Sequence, residues 1–475
     1  ICWSALISGY VQQGQYDEAL DCFECMKSKS LSPDAVTFIC VLKACGSRGA
    51  IGKGKQIHEE IMSRGLLEKN IVLGNALVDM YVKYGMMEKA QEVLQKLLIR
   101  NVVSWNTLIA GYTEHGQSHK ALQCFQQMQT EGLSPDSVTF ICIFKACGNA
   151  RDIEKGKQVH DEVVSRGLLK TDILLSNALV DMYVKCGRLA KAQEVLEELP
   201  IRNVISWSSL IAGYAHQEEG QEALNCFEHM QSEGLSPNTV TFICTLKACA
   251  TLGAIDKGMQ IHDEILSRGL LQKDVLLGTA LVDMYAKCGA LAKAHEVLDE
   301  LPGRDVVSWN ALIAGYTEHG HSRKALKCFD QMHGEGLSPN VVTFLSILTA
   351  CSHSGLLDEV QILFGNMTRK YGITPNVQHH TCMMGVLGCA GHFTDAILVI
   401  KAMPSSDYPA VWRALLGACR KWGNVELGKL AFDQALQLDT TCAVVYVLMA
   451  NIFASAGMQE DAERIEAMRM KYAAK

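Results

Sequence analysis

The stretch 102-VVSWNTLIAGYTEHGQSHKALQCFQQMQTEGLSPD-136 decides how the rest of the chain is read. Trp105, Leu108, Ile109 and Tyr112 follow the i, i+3, i+4, i+7 spacing of one buried helical face. Gly116 breaks that run. Ala121, Leu122, Phe125 and Met128 then mark the apolar face of a second helix, which Gly132 and Pro135 bring to a stop. The stretch therefore predicts two antiparallel helices, and strand-like alternation is absent.

Outward from this stretch the same text returns. Trp3, Trp105, Trp207 and Trp309 are spaced 102 residues apart, inside CWSALISGY, SWNTLIAGY, SWSSLIAGY and SWNALIAGY. Each period divides into units of 35, 36 and 31 residues, here 102–136, 137–172 and 173–203. Residues 1–101, 204–305 and 306–407 divide in the same way, the first unit lacking its initial residue, and two units of 34 residues with different text follow at 408–441 and 442–475. Length alone would predict about three ordinary domains. A fixed period predicts something else: an all-α chain, a right-handed α-solenoid superhelix in which first helices line one surface and second helices the other. Ile1 already lies inside a unit, so the chain reads as a piece of a longer protein.

Composition narrows the function. The chain is 48% apolar and 20% charged with a net charge of −7. A nonspecific polyphosphate binder needs a basic face to release counterions, so any nucleic-acid contact is expected to be selective and local. The 19 cysteines are locked to the repeat: Cys22, Cys124, Cys226 and Cys328 form one set, and Cys45, Cys147, Cys249 and Cys351 another. Free cysteine in an apolar helical pattern packs as a small hydrophobe, which points to reduced, structural thiols. No run of about 18 apolar residues exists, and no membrane contact is expected.

Two polar places recur outside the buried stripe. Asn106 lies about 110° around the helix from the centre of the Trp105 face, at the edge of a groove. Its equivalents are Ser4, Ser208 and Asn310, and in the 31-residue units Asn75, Asn177, Thr279 and Thr381. All are small hydrogen-bonding residues suited to the edge of a base. The second place closes each of these units: Asp34, Asp136, Asn238 and Asn340, with Asn101, Asn203, Asp305 and Asp407. Asn and Asp there serve either as N-caps of the next helix or as partners in recognition. The 36-residue units carry Ile39, Ile141, Ile243 and Leu345 at the first place, which cannot hydrogen-bond a base and are expected to act as spacers.

VVSWNTLIAGY, GKQVHDEVVSRG and NALVDMYVKCG, with their unit lengths, resemble the P, L and S motifs of the pentatricopeptide repeat family, PLS subfamily. Residues 408–441 and 442–475 resemble its E1 and E2 motifs. The resemblance covers nearly the whole chain. It implies single-stranded RNA binding in mitochondria or chloroplasts, and usually site-specific conversion of cytidine to uridine. It also implies that the fifth and last residues of a motif read one base. Carried over, Ser4 with Asp34 implies guanine, Asn75 with Asn101 a pyrimidine, Asn106 with Asp136 uracil, and Asn177 with Asn203 a pyrimidine. Ser208 with Asn238 implies adenine, Thr279 with Asp305 guanine, and Asn310 with Asn340 a pyrimidine, cytosine favoured. Thr381 with Asp407 implies guanine, although VQHHTCMMGVLGCAG departs from the other 31-residue units. Val103, Ile205 and Val307, each the second residue of a reading unit, are implied to wedge between bases; ordinary helix-entry packing is the alternative.

Deamination itself needs zinc held by His and two Cys with a Glu proton shuttle, in an H-x-E motif with a downstream P-C-x-x-C. His58-Glu59-Glu60 fits H-x-E, but its counterparts at His160 and His262 mark it as repeat text. Cys22 and Cys25 form a C-x-x-C without a preceding Pro and upstream of His58, and His379 and His380 are adjacent. No catalytic residue, metal site or cofactor is expected. The family's DYW deaminase is expected in cis beyond residue 475 or as a separate partner, alongside organellar editing accessory factors. An RNA-binding factor for splicing or transcript stability, and a tetratricopeptide-like peptide scaffold, are the alternative functions.

Overall fold

The computed structural model describes residues 2–67, 70–401, 403 and 408–472. Among these the regular elements are all helical. The chain divides into two compact units, residues 1–244 and 245–475.

Within residues 1–244 the opening stretch folds as its pattern predicts. Its helices are Val102–Glu114 and Ser118–Thr130, joined through Gly116 at φ 71°. The second ends at Gly132, φ 78°, a left-handed conformation that costs glycine nothing. The three unit lengths have local causes. The 36-residue unit lengthens its first helix to 14 residues, Ser137–Ala150, against 13 for Val102–Glu114. The 31-residue unit shortens its second helix to 10 residues, Leu189–Glu198.

Each first helix packs on the first helix of the next unit, so Cys2–Gln12, Ala35–Arg48, Ile71–Lys83, Val102–Glu114, Ser137–Ala150, Ile173–Lys185 and Val204–His216 form one continuous layer. Second helices pack on their own first helix and on the next. Close approach within the layer needs small residues: a Cβ at Gly111 would stand 2.6 Å from Val82 Cγ1. Trp105, Leu108, Ile109, Tyr112, Ala121, Phe125 and Met128 are all buried, the contribution of each large side chain being about 1.5–3 kcal/mol. Trp105 Nε1 donates to Glu131 Oε2 at 3.0 Å, and Glu131 also pairs with Arg100 from the preceding unit at 2.8 Å. Trp207, Glu233 and Arg202 repeat this clamp.

Residues 245–475 are built alike. Val275–Lys287, Val306–Glu318, Val341–Ser354, Val377–Ala390, Pro409–Trp422 and Ala443–Ser455 form the layer of first helices. Trp309 is clamped by Glu335, itself paired with Arg304. The helix near residue 408 begins at Pro409, with Tyr408 as an N-cap that makes no side-chain bond. Trp412 thereby takes the fourth helical place that Trp105 holds in its own helix.

The repeated cysteines sit between helices. Burial raises the thiols of Cys124, Cys226 and Cys328 to about 12, which suits packing rather than nucleophilic chemistry. His58, His160 and His262 each contact a tyrosine hydroxyl from the following unit, at 2.7 Å from Tyr81, 2.9 Å from Tyr183 and 3.0 Å from Tyr285. Burial holds all three imidazoles below their ordinary pKa. No helix among the described residues is long and apolar enough to cross a membrane.

Candidate nucleic-acid interface

Within the triplets the residues closing the units are helix N-caps in every described case. Asp34, Asn101, Asp136, Asn203, Asp305 and Asn340 each accept from a backbone N–H in the first turn of the next helix. Asn238 does the same for Thr241 N at 2.9 Å. Capping accounts for one oxygen of each side chain and leaves the question of what the rest of it faces.

In the 35-residue units the fifth residue reaches the same side chain, and at Asp136 and Asn340 it does so on the capping oxygen itself. Asn106 Nδ2 donates to Asp136 Oδ1 at 2.9 Å, and Asn310 Nδ2 to Asn340 Oδ1 at 3.2 Å. Ser4 Oγ donates to Asp34 Oδ2 at 3.3 Å. Ser208 joins Asn238 through Thr241, whose hydroxyl lies 2.6 Å from Ser208 Oγ and 3.0 Å from Asn238 Oδ1. Sequence periodicity placed Asn106 at a free edge. It is instead 7% exposed, because the edge is occupied by its own partners. Asp136 is shifted by opposing causes: burial raises its pKa, but the bonds from Thr139 N–H, Asn106 and the Thr139 hydroxyl outweigh that and leave it lowered. For Asp34 the Thr37 side chain and N–H lower it first, against a smaller burial effect.

The 31-residue units differ. Asn75 and Asn177 keep a buried Oδ1 without a hydrogen-bond partner, and their unit-closing residues Asn101 and Asn203 bond only the next helix. Thr279 and Thr381 turn their hydroxyls back to Val275 O and Val377 O in their own helices. The pairs expected from sequence are thus joined by hydrogen bonds in the 35-residue units and not in the three 31-residue units whose closing residue is described. Asp407 lies outside the described residues.

Two grooves gather the pairs with apolar and charged neighbours. One, about 690 Å³, is lined by Val103, Asn106, Asp136 and Val138 together with Asp79 and Lys83. The other, about 1010 Å³, is lined by the same places one period later: Ile205, Ser208, Asn238, Val240, Asp181 and Lys185. Val103, Ile205 and Val307 are 57%, 54% and 59% exposed, so packing within the chain covers less than half of each. Sequence reading missed their counterparts in the other units: Val36, Val138, Val240 and Val342, and Val72, Leu174 and Leu276, are all exposed at the second place. The signal was present, since that place is aliphatic in all of the twelve units except 377–407, which carries Gln378. The lysines were also missed; Lys83 and Lys185 are held by Asp79 and Asp181 at 2.8 Å each. Ile39, Ile141, Ile243 and Leu345 are half-buried and bring no polar group.

The grooves offer hydrogen-bonding groups, exposed aliphatic surface and a lysine side by side. Among the described residues no three His, Cys, Asp or Glu side chains stand together as a metal site. His379 is buried on Asn376 and Val341 O, and His380 bonds Asn376 O.

Comparison with known proteins fits these units. A model described as the PPR repeat family matches residues 1–47, 100–149, 202–251 and 304–353, a PPR repeat model matches five further segments between 75 and 371, and an E motif model matches 422–475. A mitochondrial pentatricopeptide repeat-containing protein of Arabidopsis thaliana is 35% identical, over 96% of this chain and 82% of its own length. The chloroplastic CRR2 of the same organism is 36% identical over 97% and 70%. Another Arabidopsis relative is 37% identical over 98% of this chain, which spans 56% of its length. Among solved structures, PPR10 in complex with an 18-nt psaJ RNA element superposes with a TM-score of 0.73 at 18% identity, covering 99% of this chain and 73% of that one.

Proposed function

Because the chain belongs to the pentatricopeptide repeat family, we propose that it binds single-stranded RNA in a sequence-specific way, one base per unit. The observation that carries this reading is the recurrence, 102 residues apart, of a groove holding a polar pair, two exposed aliphatic side chains and a lysine. The pair offers donors and acceptors to a base edge, the aliphatic residues offer surfaces to its faces, and the lysine offers a cation to the phosphate. Val103, Ile205 and Val307 take the wedging role, extended to Val138 and Val240. PPR10, which shares the fold, was solved with RNA, and that supports the ligand class.

On this reading the address runs, 5′ to 3′, guanine, any base, pyrimidine, uracil, any base, pyrimidine, adenine, any base, guanine, a pyrimidine with cytosine favoured, any base, guanine. The last letter rests on Thr381 and Asp407. The role we assign is that of a recognition factor for cytidine-to-uridine editing in mitochondria or chloroplasts. The triplet lengths and the matched E motif support it, and several relatives carry one or other organelle in their names. Deamination is then supplied by a DYW-type domain in cis or in trans, with this chain contributing no catalytic residue.

The test is a titration of the chain with an RNA carrying this address and with one in which guanines and adenine are exchanged. Tight binding of the first and loss of at least roughly tenfold for the second is expected, since each mismatched letter removes about one hydrogen-bonded contact. Equal binding of both overturns sequence-specific reading. Sequencing organellar RNA from a line lacking the protein separates editing from splicing or stability: complete conversion at every candidate cytidine rules out the editing role.

A further inference from the structure

The 35-residue and 31-residue units differ in one residue behind the reading pair. After each 35-residue unit the third residue of the next helix is a threonine, Thr37, Thr139, Thr241 or Thr343, each with 0% exposure. After each described 31-residue unit it is a serine, Ser104, Ser206 or Ser308, equally buried.

The threonine reaches the fifth residue across 33 positions of chain. Thr139 Oγ1 donates to Asn106 Oδ1 at 2.6 Å and Thr343 Oγ1 to Asn310 Oδ1 at 2.7 Å, while the Thr37 and Thr241 hydroxyls lie 2.9 Å and 2.6 Å from those of Ser4 and Ser208. Thr139 Oγ1 also lies 2.9 Å from Asp136 Oδ1, so its single proton is shared between the two oxygens, with the shorter contact to Asn106. The result is a fixed amide. Asn106 Oδ1 is turned inward on Thr139, one Nδ2 hydrogen goes to Asp136, and the other is left for a base.

The serines do none of this. Ser104 Oγ donates to Asn101 Oδ1, and the Ser206 and Ser308 hydroxyls donate to Asn203 O and Asp305 O, each at 2.9 Å. Serine lacks the methyl that stiffens threonine about χ1, and its hydroxyl settles on the cap. Asn75 and Asn177 are left with a buried, unpaired Oδ1, so no hydrogen bond decides which end of the amide faces the groove. An amide free to turn can donate to the O4 of uracil or accept from the N4 amino group of cytosine.

We propose that this third residue is a positioning residue that sets how sharply each unit reads its base: threonine locks the pair into one donor–acceptor arrangement, and serine leaves an asparagine reader able to satisfy either pyrimidine. The inference rests on the RNA reading above, and deepens it.

The test passes a randomised single-stranded RNA pool over the 475-residue chain and sequences what is retained, giving one letter distribution per unit. In the wild type the base facing Asn106 should be sharply uracil and the base facing Asn75 an even mixture of uracil and cytosine. Thr139→Val should flatten the first letter by roughly fivefold, the value of one hydrogen bond, with all other letters unchanged. Ser104→Thr should sharpen the second. Retention of the uracil preference in Thr139→Val overturns the proposal, as does an even loss across all letters, which marks a role in folding alone. Should Thr139→Val fail to fold, an unchanged mixture in Ser104→Thr overturns it independently. A wild-type pool with no letters at all overturns the RNA reading itself, and is told apart from these outcomes because it precedes any substitution.

Discussion

The helix pair that opens the second triplet and the pair Pro409–Trp422 and Val425–Leu438 share a scaffold and differ in what they offer a ligand. Trp105 and Trp412 occupy the same helical place and are both buried. At the next place the first pair carries Asn106, bonded to Asp136, whereas the second carries the exposed Arg413, whose Nη1 lies 3.7 Å from Cys442 Sγ. The cap differs as well. Asn101 caps by its side chain, while the later helix starts from Pro409, whose missing N–H needs no cap. One place further on, Ala443–Ser455 puts Val447 where a reader would stand, yet keeps the exposed Val444 at the second place. On the proposed reading, stacking of helices and reading of letters are therefore separable properties of the unit, and these last pairs give up the second while keeping the first.

Removing the shared scaffold should have the largest effect. Trp105→Ala and Trp412→Ala should each cost about 3–5 kcal/mol, read as a lowered unfolding midpoint. If only one of them did, the two places would not be equivalent. Next comes the contrast at the following place. Asn106→Thr should move a single letter from uracil towards guanine by roughly five- to tenfold, and Arg413→Ala should move none. A letter lost with Arg413 would break the separation between the regions. The smallest effect concerns acid. Where the triplets carry His58, His160 and His262, the later pair carries Phe432, edge-on to Tyr446. Burial lowers the folded pKa of the three histidines, so the unfolded chain takes up protons first. Their contribution is whole above the unfolded value of about 6.5 and is lost as pH falls from there towards the folded values. Thermal unfolding should thus occur at a lower temperature at acid pH than at pH 7, and His58→Gln with His160→Gln and His262→Gln should shrink that gap. An unchanged gap would show that other groups carry it.

Much of this was legible in the residues. The period of Trp105 gave the helix pairs, because a buried face repeats every turn. The unit lengths could be counted before their cause was known: an extra turn residue in Ser137–Ala150 and a shorter Leu189–Glu198 are matters of helix length that counting does not localise. The two polar places were found, but not that Asn106 would be buried by its partners, since periodicity gives an angle around one helix and says nothing of what the next helix brings. The same limit hid Thr139. Its bond to Asn106 spans two units, and in a one-dimensional text it is only a cap's companion. The difference between 408 and Pro409 as the start of the later pair is set by where the backbone turns helical.

A consequence for heredity follows from the caps. Because Asp136 both starts a helix and, on the proposed reading, helps choose a letter, only residues good at the first task are open to it in the second. Asparagine and aspartate start helices about equally well, and their codons differ by a single nucleotide. A mutation between them would rewrite one letter of the address while leaving every helix in place. An array of this kind can follow a drifting target sequence step by step, each intermediate as well folded as the last.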